Sequence, residues 1–294
     1  MKSLVVGMGI GQLYKDILVQ NGHEVVTVDQ DIKRRADLPN VESAILSHAP
    51  FDTVHICTPN FTHEALAHQL APHARIVFIE KPGVLNSDAW TNLVTTHSRT
   101  RFIMVKNNQW RTNIDEFKDL AKKSAGVCIN WVNWDRVPKP GSWFTNKELA
   151  YGGVSRDLMP HLLSWFMALE PNYEKAEQTK KFFTQNWQLS DVTNSDYGTV
   201  NPDGVYNVDD ECIFEFKSND KWWVLNANWR SLTMNTINLT FVDHDDNKTE
   251  IELGLCPEEA YLNMIQDCIK NIDNPDFWKL QYKQDTWIHD KIKL

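Results

Sequence analysis

Short apolar, β-branched segments alternate with helix-like segments through the first 110 residues of the chain. The predicted strands are KSLVVGM, HEVVTVDQD, FDTVHICTPN, ARIVFIEKP and TRFIMVKNN, and the predicted helices between them are QLYKDILVQNG, VESAILSH, FTHEALAHQLAPH and NSDAWTNLVTTHSR. Buried parallel strands have continuous apolar sequences and are joined by crossover helices. This part of the chain therefore predicts an α/β domain with a doubly wound parallel sheet.

The pattern changes after residue 112. A helix (IDEFKDLAKKS), a strand (GVCINWVNWDRV), a loop with proline and glycine, and a helix that begins near Asp157 come first. Several strands then follow one another directly: CIFEFKS, KWWVLNANWR, TINLTFVDHD and KTEIELG, with PEEAYLNMIQDCIKNI as a final helix. Successive strands of this kind predict a mostly antiparallel sheet in an α+β domain. We therefore expect two domains, residues 1–112 and residues 113–294.

Composition excludes several classes of protein. The net charge of −9 argues against a nucleic-acid-binding protein, which would show a basic face. No apolar run approaches the roughly 20 residues that a membrane span needs. The five cysteines are odd in number and lack C-x-x-C pairs, so we predict neither a disulfide framework nor a metal site. The apolar amino terminus is interrupted by glycines and is interpreted as a strand, so the protein is expected to be cytoplasmic and free of membrane contacts.

The first predicted strand leads into three glycines, Gly7, Gly9 and Gly11. In a dinucleotide-binding turn, G-x-G-x-x-G, glycines let the backbone approach a pyrophosphate at a helix N-terminus. That spacing would put the third glycine at position 12, which is Gln12. Either Gly11 replaces it in a turn shortened by one residue, or the segment is only a tight connection. We predict a cofactor-binding turn that includes Ile10.

Asp29 ends the second strand, twenty residues after Gly9. A carboxylate at this place accepts hydrogen bonds from the adenosine ribose of a dinucleotide. It would also repel the 2′-phosphate of NADP, which favours NAD as the cofactor. The nearby Lys33, Arg34 and Arg35 keep NADP open as the alternative.

Three further motifs follow in order: T-P-N-x-x-H at residues 58–63, E-K-P at residues 80–82, and GGVSRDLMPH at residues 152–161. Together with the glycine turn they resemble the glucose–fructose oxidoreductase/inositol dehydrogenase/rhizopine catabolism (Gfo/Idh/MocA) family, up to about residue 165. The resemblance implies an N-terminal Rossmann domain and a C-terminal domain with a large open sheet for substrate binding and oligomerisation. It also implies an NAD(P)-dependent oxidoreductase of sugars, cyclitols or related small molecules.

The family's site residues map onto single positions of this sequence. For the cofactor, the resemblance implies Thr58, Pro59, Asn60, His63, Glu80 and Lys81. Lys81 would touch both the nicotinamide side and a substrate hydroxyl. His161 matches the family's catalytic histidine, and Asp157 matches its acidic partner.

The residue types suit hydride chemistry on an alcohol. A histidine titrates near neutrality and can exchange the hydroxyl proton, while a lysine can stabilise charge on the oxygen. Asp157 and His161 are four residues apart, so on one helix they would share a face. Structural alternatives remain open. Asp157 would cap a helix whose first turn contains Pro160, His161 would be a core histidine, and Lys81 would be a surface lysine.

The remaining predictions concern substrate, assembly and function. Four residues are candidate substrate contacts: Asn107, Arg111, Trp143 and Arg156. The strands between residues 211 and 253 carry enough outward apolar and aromatic residues to predict a homo-oligomer through the C-terminal sheet. We expect interconversion of a hydroxyl and a carbonyl on a sugar, cyclitol or nucleotide-sugar-like substrate. The alternatives are a non-catalytic cofactor-binding sensor and a related imine or tetrapyrrole reductase.

Overall fold

The computed structural model describes residues 1–293. The strands are β1 (Lys2–Val6), β2 (Glu24–Val28), β3 (Phe51–Ile56), β4 (Ala74–Ile79), β5 (Arg101–Met104), β6 (Gly126–Val132), β7 (Glu177–Thr184), β8 (Glu211–Ser218), β9 (Lys221–Asn228), β10 (Thr236–Val242) and β11 (Lys248–Glu252). The helices are α1 (Gly11–Gln20), α2 (Val41–His48), α3 (His63–Leu70), α4 (Ser87–Thr96), α5 (Ile114–Lys123), α6 (Lys147–Ala150), α7 (Val154–Asp157), α8 (Met159–Leu169), α9 (Glu258–Lys270) and α10 (Pro275–Lys291). Within residues 1–293, no helix is long and apolar enough to cross a membrane.

The chain divides into two compact units. Residues 1–105 and 258–293 form one, called here the N-terminal unit, and residues 106–257 form the other, the central unit. The division predicted from the sequence differs in two respects. The first boundary lies at residue 105, where β5 has just ended, and helices α9 and α10 pack with the N-terminal unit.

The N-terminal unit is built on a parallel sheet with the strand order β2-β1-β3-β4-β5. Its strands are apolar because helices cover both faces, and Leu4, Val54 and Val77 are fully buried. This confirms the predicted doubly wound α/β fold. Since neighbouring strands are parallel, the loops that follow β1, β2, β3 and β4 emerge at one edge of the sheet.

The central unit contains a six-stranded sheet with the order β11-β10-β6-β9-β8-β7. All pairs are antiparallel except β6 and β9, which confirms the prediction of a mostly antiparallel sheet. The side chains of β9 alternate as predicted, with Trp223 and Leu225 buried and Trp222 on the opposite face. Helix α8 covers the buried face, where Phe166 stacks on Phe216 with ring centroids 4.7 Å apart.

Three elements, α6, β7 and α10, were not predicted, and the physical reasons differ for the two longer ones. Strand β7 lies at the edge of the sheet and is largely exposed, so its sequence EQTKKFFT lacks a regular apolar alternation. Helix α10 is buried, but through polar side chains. Its buried residues include Gln281, Gln284, Asp285 and His289, so polar residues occupy the face that an apolar periodicity would have revealed.

The helix predicted to begin near Asp157 is in fact two helices. α7 ends at Asp157, and α8 begins at Met159 after Leu158, with Pro160 in its first turn. Leu158 therefore occupies the N-cap position of α8. The alternative in which Asp157 caps the helix is wrong, because its carboxylate accepts a hydrogen bond from the Trp229 indole and no side chain caps α8.

Candidate functional site

The predicted cofactor residues lie in four loops of the N-terminal unit. The glycine turn follows β1, Asp29 follows β2, residues 58–60 follow β3 and residues 80–81 follow β4. These strands are parallel neighbours, so the four loops share the carboxyl edge of the sheet. Ligands of open α/β sheets bind at this edge.

The three glycines of the turn have different surroundings. Gly7 has a φ of +89° and lies so close to Cys57 and Thr58 that a Cβ would be 2.8 Å from their atoms. Gly11 is the first residue of α1, where a Cβ would be 2.9 Å from Val5, so it permits close helix–strand packing. Gly9 has no atom within 4 Å of its Cβ position, which leaves its backbone open to a ligand. This arrangement fits a pyrophosphate beside Gly9.

Ile10 precedes α1 at its N-cap position and is exposed. The amides at the start of this helix provide the partial positive charge that favours an anion. The turn therefore supplies a backbone surface suited to phosphate, although it is one residue shorter than the usual motif.

Asp29 is held by two backbone amides. Its Oδ2 accepts a hydrogen bond from the Met8 amide at 2.6 Å, and its Oδ1 accepts one from the Asp31 amide at 2.8 Å. Each carboxylate oxygen can accept a further hydrogen bond, and the side chain is half-exposed. Asp29 is thereby fixed next to the glycine turn with acceptor capacity for ribose hydroxyls.

His63 joins two of the four loops. It is fully buried, with Nδ1 2.8 Å from the Gly83 carbonyl and Nε2 2.8 Å from the Thr58 carbonyl. Burial lowers the pKa of its imidazole. The ring nitrogens face one carbonyl from each of the loops after β3 and β4, so His63 lies between these two loops and presents neither nitrogen to the edge of the sheet.

The loop after β3 is ordered by its own hydrogen bonds. The hydroxyls of Thr58 and Thr62 are 2.6 Å apart, and the Thr62 hydroxyl donates to the Pro59 carbonyl at 2.7 Å. Asn60 is buried at the start of a short 3₁₀ helix over Asn60–Thr62. Thr58 and Pro59 are half-buried, so they remain accessible at the edge of the sheet.

Residues 80–84 form the segment called here the Lys81 turn. The Gly83 amide donates to the Glu80 carbonyl at 3.0 Å, which closes the turn around half-exposed Lys81. The Tyr14 hydroxyl of α1 donates to Glu80 Oε1 at 2.6 Å. Burial, and then the Glu80 charge, raise the pKa of Tyr14 well above its usual value, so this phenol remains a donor.

In the central unit, two tryptophans contact the predicted proton-transfer residues. The Trp229 indole donates to Asp157 Oδ2 at 2.9 Å, and the Trp131 ring lies 5.2 Å from the His161 ring. Trp131 is near the carboxyl end of β6, and Trp229 follows the parallel neighbour β9. His161 is half-exposed, so the alternative of a buried core histidine does not describe it.

The glycines before Asp157 are fixed by Asp209. Its carboxylate accepts hydrogen bonds from the Gly153 and Ser155 amides at 2.8 and 2.7 Å and from the Ser155 hydroxyl at 3.0 Å. A Cβ at Gly153 would be 1.8 Å from the Asp209 carbonyl oxygen. Only glycine fits at this position, and Asp209 sets the start of α7.

The four candidate substrate residues fall into two groups. Asn107 is 0% exposed and both ends of its carboxamide lack a hydrogen-bond partner among the described residues. Arg156 is 3% exposed, and its Nε and Nη1 also lack partners within residues 1–293. Burial lowers the pKa of Arg156 to about 10, partly opposed by the charges of Asp209 and Tyr151. Unpaired buried polar groups are costly, which makes both residues candidates for a ligand contact.

Arg111 and Trp143 have structural partners. The Arg111 guanidinium donates to Asn108 and to the carbonyls of Leu253 and Gly254, and it lies over the Trp165 ring. Trp143 stacks on Phe144 with ring centroids 3.8 Å apart. Arg111 therefore anchors the loop after β11, and its role as a substrate contact is not supported by this geometry.

The predicted residues thus separate into two sets. Lys81 and the cofactor residues belong to the N-terminal unit, while Asp157, His161 and the candidate substrate residues belong to the central unit. Sequence reasoning missed the supporting residues Tyr14, Trp229 and Asp209. No local signal identifies them, because each is at least 50 residues from its partner. Within residues 1–293, no group of three or more His, Cys, Asp or Glu residues could hold a metal ion.

Residues 2–107 match the family model GFO_IDH_MocA, described as an oxidoreductase family with an NAD-binding Rossmann fold. A curated relative from Amycolatopsis mediterranei (strain S699), provisionally named a UDP-kanosamine synthase oxidoreductase subunit, is 27% identical over 179 residues. That match covers 55% of this chain and 49% of the relative, so the chain spans about half the length of the curated protein it matches.

Two solved structures share the fold over nearly the whole chain. GenD2 from gentamicin A biosynthesis, in complex with NAD, has a TM-score of 0.73 at 16% identity and covers 100% of this chain and 92% of its own. The WlbA dehydrogenase from Bordetella pertussis, in complex with NADH and UDP-GlcNAcA, has a TM-score of 0.73 at 15% identity and covers 99% and 95%. Residues 2–107 therefore match the NAD-binding Rossmann domain of the Gfo/Idh/MocA oxidoreductase family, and the two solved structures share the fold of nearly the whole chain.

Proposed function

We propose that this protein is an NAD-dependent oxidoreductase that interconverts a hydroxyl and a carbonyl on a sugar, cyclitol or nucleotide sugar. The observation that carries the proposal is the shared carboxyl edge of one parallel sheet, where the open glycine turn, Asp29 and the Lys81 turn occur on neighbouring strands. The first two suit a dinucleotide. The Lys81 turn supplies a cation, the Lys81 ammonium, at the same edge of the sheet.

The names of similar proteins favour a nucleotide sugar. One relative is named for UDP-kanosamine synthesis, and one structural neighbour was crystallised with UDP-GlcNAcA. Buried Asn107 and Arg156 are consistent with this class, because hydroxyls and anionic groups of such a substrate would provide the partners that their amide and guanidinium lack.

Different residues of this chain would bind the cofactor, stabilise charge and transfer the proton. The backbone of the glycine turn would hold the pyrophosphate of NAD, and Asp29 would hold the ribose. When bound, the nicotinamide supplies the hydride acceptor or donor. The Lys81 ammonium would stabilise negative charge on the reacting oxygen, and His161 would take or return the hydroxyl proton.

Asp157 would stabilise the protonated form of His161 through its negative charge. The Trp229 hydrogen bond holds one of its carboxylate oxygens in place. A carboxylate near an imidazole favours the imidazolium that forms when the hydroxyl proton is taken up.

A substrate panel tests the proposal. Purified protein is titrated with NADH by calorimetry, and nicotinamide absorbance is then followed with NAD⁺ as the oxidant of hydroxyl groups in UDP-sugars, free sugars and cyclitols. We expect NADH binding and turnover with at least one member of the panel. Binding of NADH without any turnover would favour the sensor alternative, and absence of NADH binding would contradict the whole proposal.

A further inference from the structure

Helix α10 presents a polar face to the interior of the N-terminal unit. Gln281, Gln284, Asp285 and His289 are all buried. Burying polar groups costs free energy unless they form hydrogen bonds, so the partners of this face indicate what the helix does.

His289 binds the Lys81 turn. Its Nε2 accepts a hydrogen bond from the Val84 amide at 3.1 Å, while its Nδ1 lies 2.6 Å from the Asp285 carbonyl. An amide can only donate and a carbonyl can only accept, so these partners require a neutral ring with its proton on Nδ1. The ring also stacks on Trp90, with centroids 5.2 Å apart.

Asp285 binds the neighbouring strand end. Its Oδ2 accepts a hydrogen bond from the Met104 amide, the last residue of β5, at 3.1 Å. Asp285 and His289 are one helical turn apart, so α10 contacts the carboxyl ends of β5 and, through the Lys81 turn, β4. Both contacts are to backbone amides, which fixes the main chain at this edge.

The Lys81 turn is held between two buried histidines. On one side His63 lies 2.8 Å from the Gly83 carbonyl, and on the other His289 accepts from Val84. Gly83 has a φ of +79°, and a Cβ there would be 2.6 Å from His289 Nε2. The turn has no room to shift toward α10, so its backbone position depends on His289.

We propose that His289, supported by Asp285, is a positioning residue for Lys81, which makes α10 part of the machinery of the cofactor edge. This inference rests on the function proposed above for Lys81. His289 touches no reacting atom. It acts through the Val84 hydrogen bond, since a displacement of about 1 Å in a group that orients a substrate can lower turnover about a hundredfold.

Two substitutions at position 289 separate positioning from packing. His289→Leu keeps an apolar side chain of similar volume but removes the acceptor for the Val84 amide. His289→Gln keeps an acceptor oxygen near the position of Nε2. The control is Tyr282→Phe, which removes a 3.0 Å hydrogen bond between α10 and Thr91 of α4 without touching the Lys81 turn.

Two readouts are measured on each folded variant. The first is amide hydrogen exchange in a peptide covering residues 80–84. The second is kcat and NADH affinity with the substrate found in the panel. We expect His289→Leu to raise exchange and lower kcat, each by about tenfold or more, with NADH affinity within about twofold. His289→Gln and Tyr282→Phe should stay within about threefold of the parent in both readouts.

Unchanged exchange in His289→Leu would overturn the inference, as would faster exchange with unchanged kcat. A loss of kcat that His289→Gln shares equally would also overturn it, because the acceptor would not be the cause. A parent chain that binds NADH but turns over nothing contradicts the proposed function instead. In that case the exchange experiment alone decides whether α10 positions the turn.

Discussion

The carboxylate of Asp29 accepts a 2.6 Å hydrogen bond from the backbone amide of Met8, which ties the end of β2 to the glycine turn after β1. The glycine turn, which would bind the pyrophosphate, and the loop of Asp29, which would bind the adenosine ribose, are therefore fixed to each other within one unit. A second amide, that of Asp31, orients the other carboxylate oxygen.

We expect Asp29→Ser to weaken NADH binding by about 10 to 100-fold, because hydrogen bonds from the ribose hydroxyls to a charged acceptor are lost. NADPH binding should change less, since the 2′-phosphate no longer meets a carboxylate. Calorimetry with both cofactors measures the difference. Asp31→Ser is the control, because it changes only an exposed side chain that caps a short 3₁₀ helix and keeps the Asp31 amide that donates to Asp29. Equal affinities of the parent for NADH and NADPH would contradict the role of Asp29.

Gly9 and Gly11 should respond oppositely to alanine. Gly9→Ala meets no protein atom within 4 Å, so the melting temperature should hold while NADH affinity falls, as a methyl group occupies the open backbone. Gly11→Ala puts a Cβ 2.9 Å from Val5 and should destabilise the fold by about 1–3 kcal/mol. Thermal melts and NADH titrations of both variants check this. A Gly9→Ala protein with parental NADH affinity would show that no ligand approaches this backbone.

The sequence predicted residues 1–105 of the N-terminal unit well because their signals are local. Continuous apolar runs such as that of β1 identify buried parallel strands, and Asn86 caps α4 through the Ala89 amide, as its residue type suggests. Helix α10 could not be found in this way. Its buried face includes Asp285 and His289, which accept hydrogen bonds from backbone amides, so the face does not show a continuous apolar periodicity.

The parts of the candidate site that consist of contiguous motifs could be predicted from the sequence. The parts that depend on residues distant in the chain could not. The glycine turn, the Lys81 turn and the segment around His161 are contiguous in sequence. Tyr14 and Glu80 are 66 residues apart, and Trp229 and Asp157 are 72 apart. Only the folded sheet brings such residues together, and nothing in their local sequence distinguishes them from core aromatics.

Buried His55 should make the protein sensitive to acid. Burial lowers the pKa of its imidazole to about 3, and its Nε2 lies 3.1 Å from the Thr53 hydroxyl. The unfolded chain takes up this proton near pH 6.5, so the contribution of His55 to the free energy of unfolding should fall by about 1.4 kcal/mol per pH unit as pH decreases from 6.5 toward 3. Above that window His55 has no effect on pH dependence.

Urea unfolding at several pH values tests this prediction. His55→Asn should show a flatter pH dependence than the parent, whereas His244→Asn, which changes an exposed histidine, should keep the parental slope. Parallel slopes for the parent and His55→Asn would contradict the assignment.

The outer face of the central sheet is proposed as a homo-oligomer interface. Phe182 and Trp222 are 41% and 40% exposed, and their strands place them on one face with half-buried Ile213 and Val224. Light scattering should give a mass above the 34.1 kDa of one chain. Phe182→Lys combined with Val224→Lys should lower that mass, while Leu46→Lys on exposed α2 should not. A parent that is monomeric at micromolar concentration would overturn the proposal.

Proton transfer by His161 is the central claim, and turnover of His161→Ala tests it most directly. With NAD⁺ and the hydroxyl substrate saturating, kcat should fall by about 10² to 10⁴-fold, the range expected for loss of a general acid or base. NADH affinity should be nearly unchanged, because the cofactor residues lie in the N-terminal unit, and His68→Ala serves as the control for a histidine in that unit. A His161→Ala protein that melts at a lower temperature but turns over at the parental rate when folded would contradict the account.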